Sequence, residues 1–152
     1  MRPRRYTELF FLDEATAFSA GHRPCAECRY ADYRRFKSLW NAARAEPAGA
    51  DAIDRVLHAE RLDGRRKRTH RIAYASLPDG AYVTVDGAAW LVWHDALLEW
   101  TDRGYRRRRA LPRGGLAEVL TPPSVLAVLA AGYPVAAHPS ANGVPAAREE
   151  CT

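Results

Sequence analysis

The chain has 152 residues, of which 47% are hydrophobic and 27% charged, and a formal net charge of +5. That length suits one domain able to bury most of its unfolded surface, and that balance excludes a disordered chain. The longest apolar run, Val125 to Ala131, is far too short to span a membrane. The basic start Met1-Arg2-Pro3-Arg4-Arg5 leads into Tyr6-Thr7-Glu8 and not into an apolar signal core, so the cytoplasm is the expected address.

Arg5 to Leu12 mixes aromatic, β-branched and apolar residues and reads as a strand or extended lead-in. Asp13 caps a short helix through Ala20, which Gly21 stops. Pro24 suits the start of a second helix, whose apolar positions Ala31, Phe36, Leu39, Trp40 and Ala43 recur at helical spacing. This helix is expected to be the longest. Glu46 to Ala50 breaks the pattern, and Asp51 to Leu62 restores it with Ile53, Val56 and Leu57 on one face, ending at Asp63-Gly64.

Arg65-Arg66-Lys67-Arg68-Thr69-His70-Arg71 is a charge run and reads as an exposed loop. Beyond Pro78-Asp79-Gly80 come short β segments, Ala81 to Val85, Trp90 to Trp93 and Leu97 to Thr101. Asp86-Gly87 and His94-Asp95 are the turns between them, which predicts an antiparallel meander. Thr121-Pro122-Pro123-Ser124 opens a helix through Ala131 with Gly132 as its stop, and an extended piece runs from Tyr133 to His138. Residues 139–152, rich in small residues, Gly and Pro, read as a disordered tail to a single domain over residues 1–138. Because helices and strands are segregated, the class is α+β: N-terminal helices carrying a Cys-x-x-Cys half-site, a small antiparallel meander, and a C-terminal helix.

Three cysteines are an odd number, and Cys25 and Cys28 lie three apart in a chain without an export signal, which points to metal or redox use and away from a disulfide framework. At a helix start both sulfurs face one point and the amide dipoles favour thiolates, the conditions that zinc requires. The plain alternative is a pair of ordinary thiols or a redox dithiol, although no βαβ pattern leads into the motif. Further ligands come from His22, His58, His70, His94, His138 or Cys151. His58 and His70, flanking the basic run, are the stronger candidates. His22, three residues before Cys25 and across a proline, is expected to point away.

The phrase Phe11-Leu12-Asp13-Glu14-Ala15-Thr16-Ala17-Phe18-Ser19-Ala20-Gly21-His22-Arg23-Pro24-Cys25-Ala26-Glu27-Cys28-Arg29 resembles the second half of the Ada-type zinc-binding domain, which carries a similar Gly-aromatic-Arg-Pro-Cys-x-x-Cys run. The likeness covers roughly residues 8 to 30. It implies a zinc ion on Cys25 and Cys28, with further ligands that in the family come from a first half, and a setting in DNA alkylation repair or beside nucleases. Residues 31 to 138 resemble a group of bacterial proteins with no assigned activity.

A second constellation competes. Zinc-dependent deaminases combine a His-x-Glu element with Pro-Cys-x-x-Cys, and this chain holds His58-Ala59-Glu60 and Pro24-Cys25-Ala26-Glu27-Cys28, in the reverse order. On that reading Cys25, Cys28 and His58 hold zinc and Glu60 is the general acid/base. A third reading is a zinc-stapled structural or partner-binding protein. The basic runs Arg65, Arg66, Lys67, Arg68 and Arg106 to Arg109 are candidates for nucleic-acid phosphates, and Trp90, Trp93, Trp100, Tyr82 and Tyr105 for base stacking. The leading expectation is thus a zinc-binding protein of Ada-like type with a DNA-contacting basic surface.

Overall fold

The computed structural model describes residues 11–42, 44 and 47–143. Among these, the helices are α1 Glu14–Ser19, α2 Tyr30–Ala42, α3 Ala50–Arg61 and α4 Pro123–Ala130. The strands β1 Leu62–Asp63 and β2 Arg66–Lys67 form a small hairpin. The strands β3 His70–Ala73, β4 Tyr82–Val85, β5 Ala88–Trp93, β6 Ala96–Thr101, β7 Gly104–Ala110 and β8 Leu116–Val119 form a sheet in the order β3-β8-β4-β5-β6-β7. All neighbouring pairs are antiparallel, so the class is α+β as the sequence implies. No helix among the described residues is long and apolar enough to cross a membrane.

The first helix forms as read. Asp13 is extended and accepts from Thr16 N at 2.8 Å and from the Thr16 hydroxyl at 2.7 Å, replacing partners that a helix start lacks. At the other end Gly21, at φ 84°, donates to Phe18 O while His22 N donates to Ala17 O, the paired bonds of a Schellman stop. The second helix departs from expectation at its start. Its regular part begins at Tyr30 and not at Pro24, with Cys25 to Arg29 forming a preceding turn closed by Arg29 N on Cys25 O at 3.1 Å.

One face of each helix builds a shared core: Phe18 from α1, Phe36 and Trp40 from α2, Ile53 and Leu57 from α3, Val125, Val128 and Leu129 from α4, and Tyr133 beyond it. The spacing that predicted α2 and α3 is therefore the spacing of their buried positions. The predicted β segments are β4, β5 and β6, joined by turns in which Asp86 and Gly87, then His94 and Asp95, all adopt positive φ.

Five further strands, β1, β2, β3, β7 and β8, escaped the pattern. Half of the supposed exposed loop, residues 65–71, is ordered as β2 and the start of β3. The arginine run 106–109 lies within β7, where a register shift sets both Arg106 and Arg107 against the buried carboxylate of Glu99, with Arg107 at 2.8 Å. Residues 139–143, the described part of the expected loose tail, are ordered. Pro139–Asn142 forms a 3-10 turn, Ala141 is buried in the core, and Ser140 Oγ accepts from Tyr105 N at 2.9 Å. Residues 144–152, Ala43 and most of the predicted N-terminal strand lie outside the described residues.

Two acids at the head of α1 tie this C-terminal stretch to the fold. Asp13 Oδ2 accepts from Tyr105 OH at 2.6 Å and His138 N at 2.8 Å, while Glu14 takes Ala136 N and Tyr133 OH, each at 3.0 Å. Tyr82 OH joins the network through Tyr105 OH at 2.6 Å and Thr16 Oγ1 at 3.0 Å. Burial pushes the Tyr82, Tyr105 and Tyr133 phenols above the ordinary tyrosine range. The folded state thus holds these protons where the unfolded chain has released them, so stability falls as pH rises through about 10. In an alkaline titration, the tyrosinate absorbance of these three phenols is expected to appear only with cooperative unfolding. Smooth titration of every tyrosine in a still-folded protein contradicts this.

Candidate metal centre and adjoining cleft

The Schellman stop after α1 reverses the chain, and His22, Arg23 and Pro24 carry it back to Cys25. The Cys25 sulfur then stands where a helix cap oxygen would, accepting from Cys28 N at 3.4 Å. Cys25 is partly covered and Cys28 is exposed. Donation from the Cys28 thiol, then from the Cys28 and Glu27 backbone N–H groups, holds the Cys25 thiol below its ordinary range, and the same donated bond raises Cys28. The pair is therefore asymmetric, with Cys25 the readier thiolate.

Beside this turn lies an open cleft of about 400 Å³ lined by Gly21, His22, Arg23, Cys25, Asp54 and Arg61. Its far wall is α3, where Asp54, His58 and Arg61 follow each other at spacings of four and three and so share one face. Arg23 spans the cleft. Its Nε lies 2.9 Å from Asp54 Oδ1, Nη2 donates to Asp54 Oδ2 at 3.1 Å, and the guanidinium rests 5.2 Å from the Tyr33 ring centre. His22 packs against Phe11, and burial followed by repulsion from Arg61 lowers its pKa against the opposing pull of Asp54. Though expected to point away, His22 lines the same cleft as Cys25.

The other predicted residues are placed elsewhere. His58 is exposed on the cleft face of α3, with Nδ1 3.4 Å from Arg61 Nη2. His70 opens β3, its Nε2 3.1 Å from the Glu60 carbonyl; a carbonyl only accepts, so this nitrogen carries the proton. Glu60 shares its helix face with Ile53 and Leu57, away from the cleft. Its carboxylate accepts from Ser124 N at 2.7 Å and Ser124 Oγ at 2.5 Å, capping α4 where Pro122 offers no side-chain cap. The general acid/base role assigned to Glu60 is thus replaced by a structural one, because both carboxylate oxygens are engaged and aimed at another helix.

The basic run also divides. Arg65 and Arg66 are exposed at the tip of the β1–β2 hairpin. Lys67 anchors that hairpin by donating from Nζ to Ser19 O at 2.7 Å, and burial of its ammonium together with Arg61 lowers its pKa to about 8. Arg68 folds back on Leu62 O and lies 3.9 Å from Asp63. Of the aromatic candidates, Tyr82, Tyr105 and Trp90 are buried, Arg109 covers Trp90 at 5.4 Å, and Trp100 is exposed.

Two thiols on one exposed turn, one leaning towards thiolate, fit two corners of a zinc tetrahedron. Among the described residues, no three His, Cys, Asp or Glu side chains converge on one metal-sized point. Cys151 lies outside them. Sequence reasoning missed Asp54 and Arg61 as cleft residues, although their helical spacing with His58 was available as a signal. No protein-family model, curated protein or solved structure matches this chain.

Proposed function

We propose that Cys25 and Cys28 bind zinc and that the surface beside them contacts nucleic acid, in DNA repair or processing. The observation that carries this reading is the Cys25–Cys28 turn, where backbone and thiol donors from Cys28 both favour a thiolate on Cys25. Metal binding requires deprotonated sulfur, so a thiol already biased that way costs less to load. The nucleic-acid half rests on the net charge of +5 and on the hairpin that presents Arg65 and Arg66. Lys67 bolts that hairpin to Ser19, two positions before the glycine that stops α1, which favours reading the basic tip together with the thiols.

Zinc retained by purified protein after desalting is the expected result, with loss in Cys25→Ser and in Cys28→Ser but retention in His70→Ala, whose ring serves Glu60. Binding to DNA is expected to weaken with salt, and neutralising Arg65 and Arg66 together to shallow the log–log salt slope by about 1 to 2. A wild-type protein without zinc overturns the first half of the proposal. Binding that is absent, or unaltered in the double variant, overturns the second.

A further inference from the structure

The cleft beside the thiols carries a charge arrangement that zinc does not use. Arg23 has its counter-ion in Asp54. Arg61 has none: among the described residues its guanidinium meets only His58 Nδ1, at 3.4 Å, and no carboxylate stands within ion-pair distance. Its stem is clamped against the bare face of Gly21, where an added Cβ would come within 2.6 Å of Arg61 Cδ. The fork is thus held in place before any ligand arrives, which reduces the ordering that binding must impose. His22 lines the same cleft, and Lys67, tethered to Ser19 O, lies close enough to feel the Arg61 charge.

We propose that this cleft is a binding site for a phosphate monoester, with the Arg61 guanidinium as its principal clamp. The charge count selects the ligand. A singly charged carboxylate only neutralises Arg61, whereas a dianionic phosphoryl group brings a second charge for the neighbouring His22, whose protonation burial and then Arg61 disfavour. Arginine's planar fork matches two phosphoryl oxygens at once. A volume of about 400 Å³ admits the phosphoryl group and part of its carrier. The carrier is either a small phosphorylated molecule or the phosphorylated end of a nucleic-acid strand. Only the second source rests on the nucleic-acid reading above.

Calorimetric titration with inorganic phosphate tests the site itself, and paired single-stranded oligonucleotides with and without a terminal phosphate test its source. Saturable phosphate binding is expected in the wild type. Arg61→Met is expected to weaken it by about tenfold or more, the loss of one charge-assisted contact. Arg61→Lys keeps the stem and charge but loses the fork, so it should weaken binding less and serves if the Met variant fails to fold. Asp54→Asn removes the cleft's negative charge and should strengthen binding, a gain that structural damage does not produce. Unsaturable phosphate titration, or equal affinity in a folded Arg61→Met protein, overturns the site. Phosphate binding without preference for the phosphorylated strand supports the site and assigns the source to small molecules. Because Cys25 lines this cleft, the wild type and the Arg61 variants are compared at equal zinc content, which separates loss of the clamp from loss of the metal.

Discussion

Replacing Glu14 by alanine is expected to lower folding stability by about 3 kcal/mol, which for a chain of this size moves the melting temperature down by about 10 °C. Glu14 heads α1, is 8% exposed, and serves three partners at once. It accepts from Tyr133 OH and Ala136 N at 3.0 Å each, and pairs with Arg29. Tyr133 packs on Phe18 and Phe36 in the main core, so its hydroxyl has no ready route to water once the carboxylate is gone. Each donor left unpaired costs about 1 to 3 kcal/mol, while the half-exposed Arg29 adds little because solvent screens it. Glu14→Gln keeps an acceptor for one donor and should cost about half as much. A thermal melt by circular dichroism checks both, and a shift of Glu14→Ala no larger than that of an exposed residue such as Glu27 refutes the account. The consequence reaches the site, because Arg29 follows Cys28 directly.

Gly21→Val should cost about 2 to 4 kcal/mol and at the same time damage the cleft. At φ 84° a β-branched residue is strained by about 1 to 2 kcal/mol, and its Cβ would overlap the Arg61 stem at 2.6 Å. Arg61 cannot keep its position while the turn keeps its shape. Chemical denaturation reads the stability loss, and the phosphate titration reads the displacement of Arg61. Gly64→Ala is the control for conformational strain alone, since Gly64 also has positive φ but nothing within 4 Å of its Cβ position. A Gly21→Val protein with wild-type phosphate affinity would show that the clamp on Arg61 is unimportant.

Where local chemistry is sufficient, the sequence alone was decisive. Asp13 and Gly21 bound α1 because a short acceptor and a residue tolerant of positive φ act within a few residues of themselves. The apolar spacing of α2 and α3 and the two-residue turns flanking β5 were legible for the same reason. The opening turn at Cys25 was legible as a motif, though not as the pre-helical turn it is. Strands β3, β7 and β8 were not legible, because their residues gain a sheet only by pairing with segments distant in sequence, and arginines on an edge strand mask its alternation.

Tertiary structure alone decided the roles of the charged residues. Sequence proximity put Glu60 beside His58 as a catalytic pair, but helical geometry sends the two to different faces, one to cap α4 and the other to meet Arg61. It likewise tied the exposed Lys67 to Ser19 as an anchor, and brought His22, Asp54 and Arg61 to the wall that Cys25 shares. The two thiols are three residues apart and needed no fold to find each other. The charges around them come from one helix, a turn and a hairpin, and only the packing of those elements could determine which of them line the cleft that Cys25 shares.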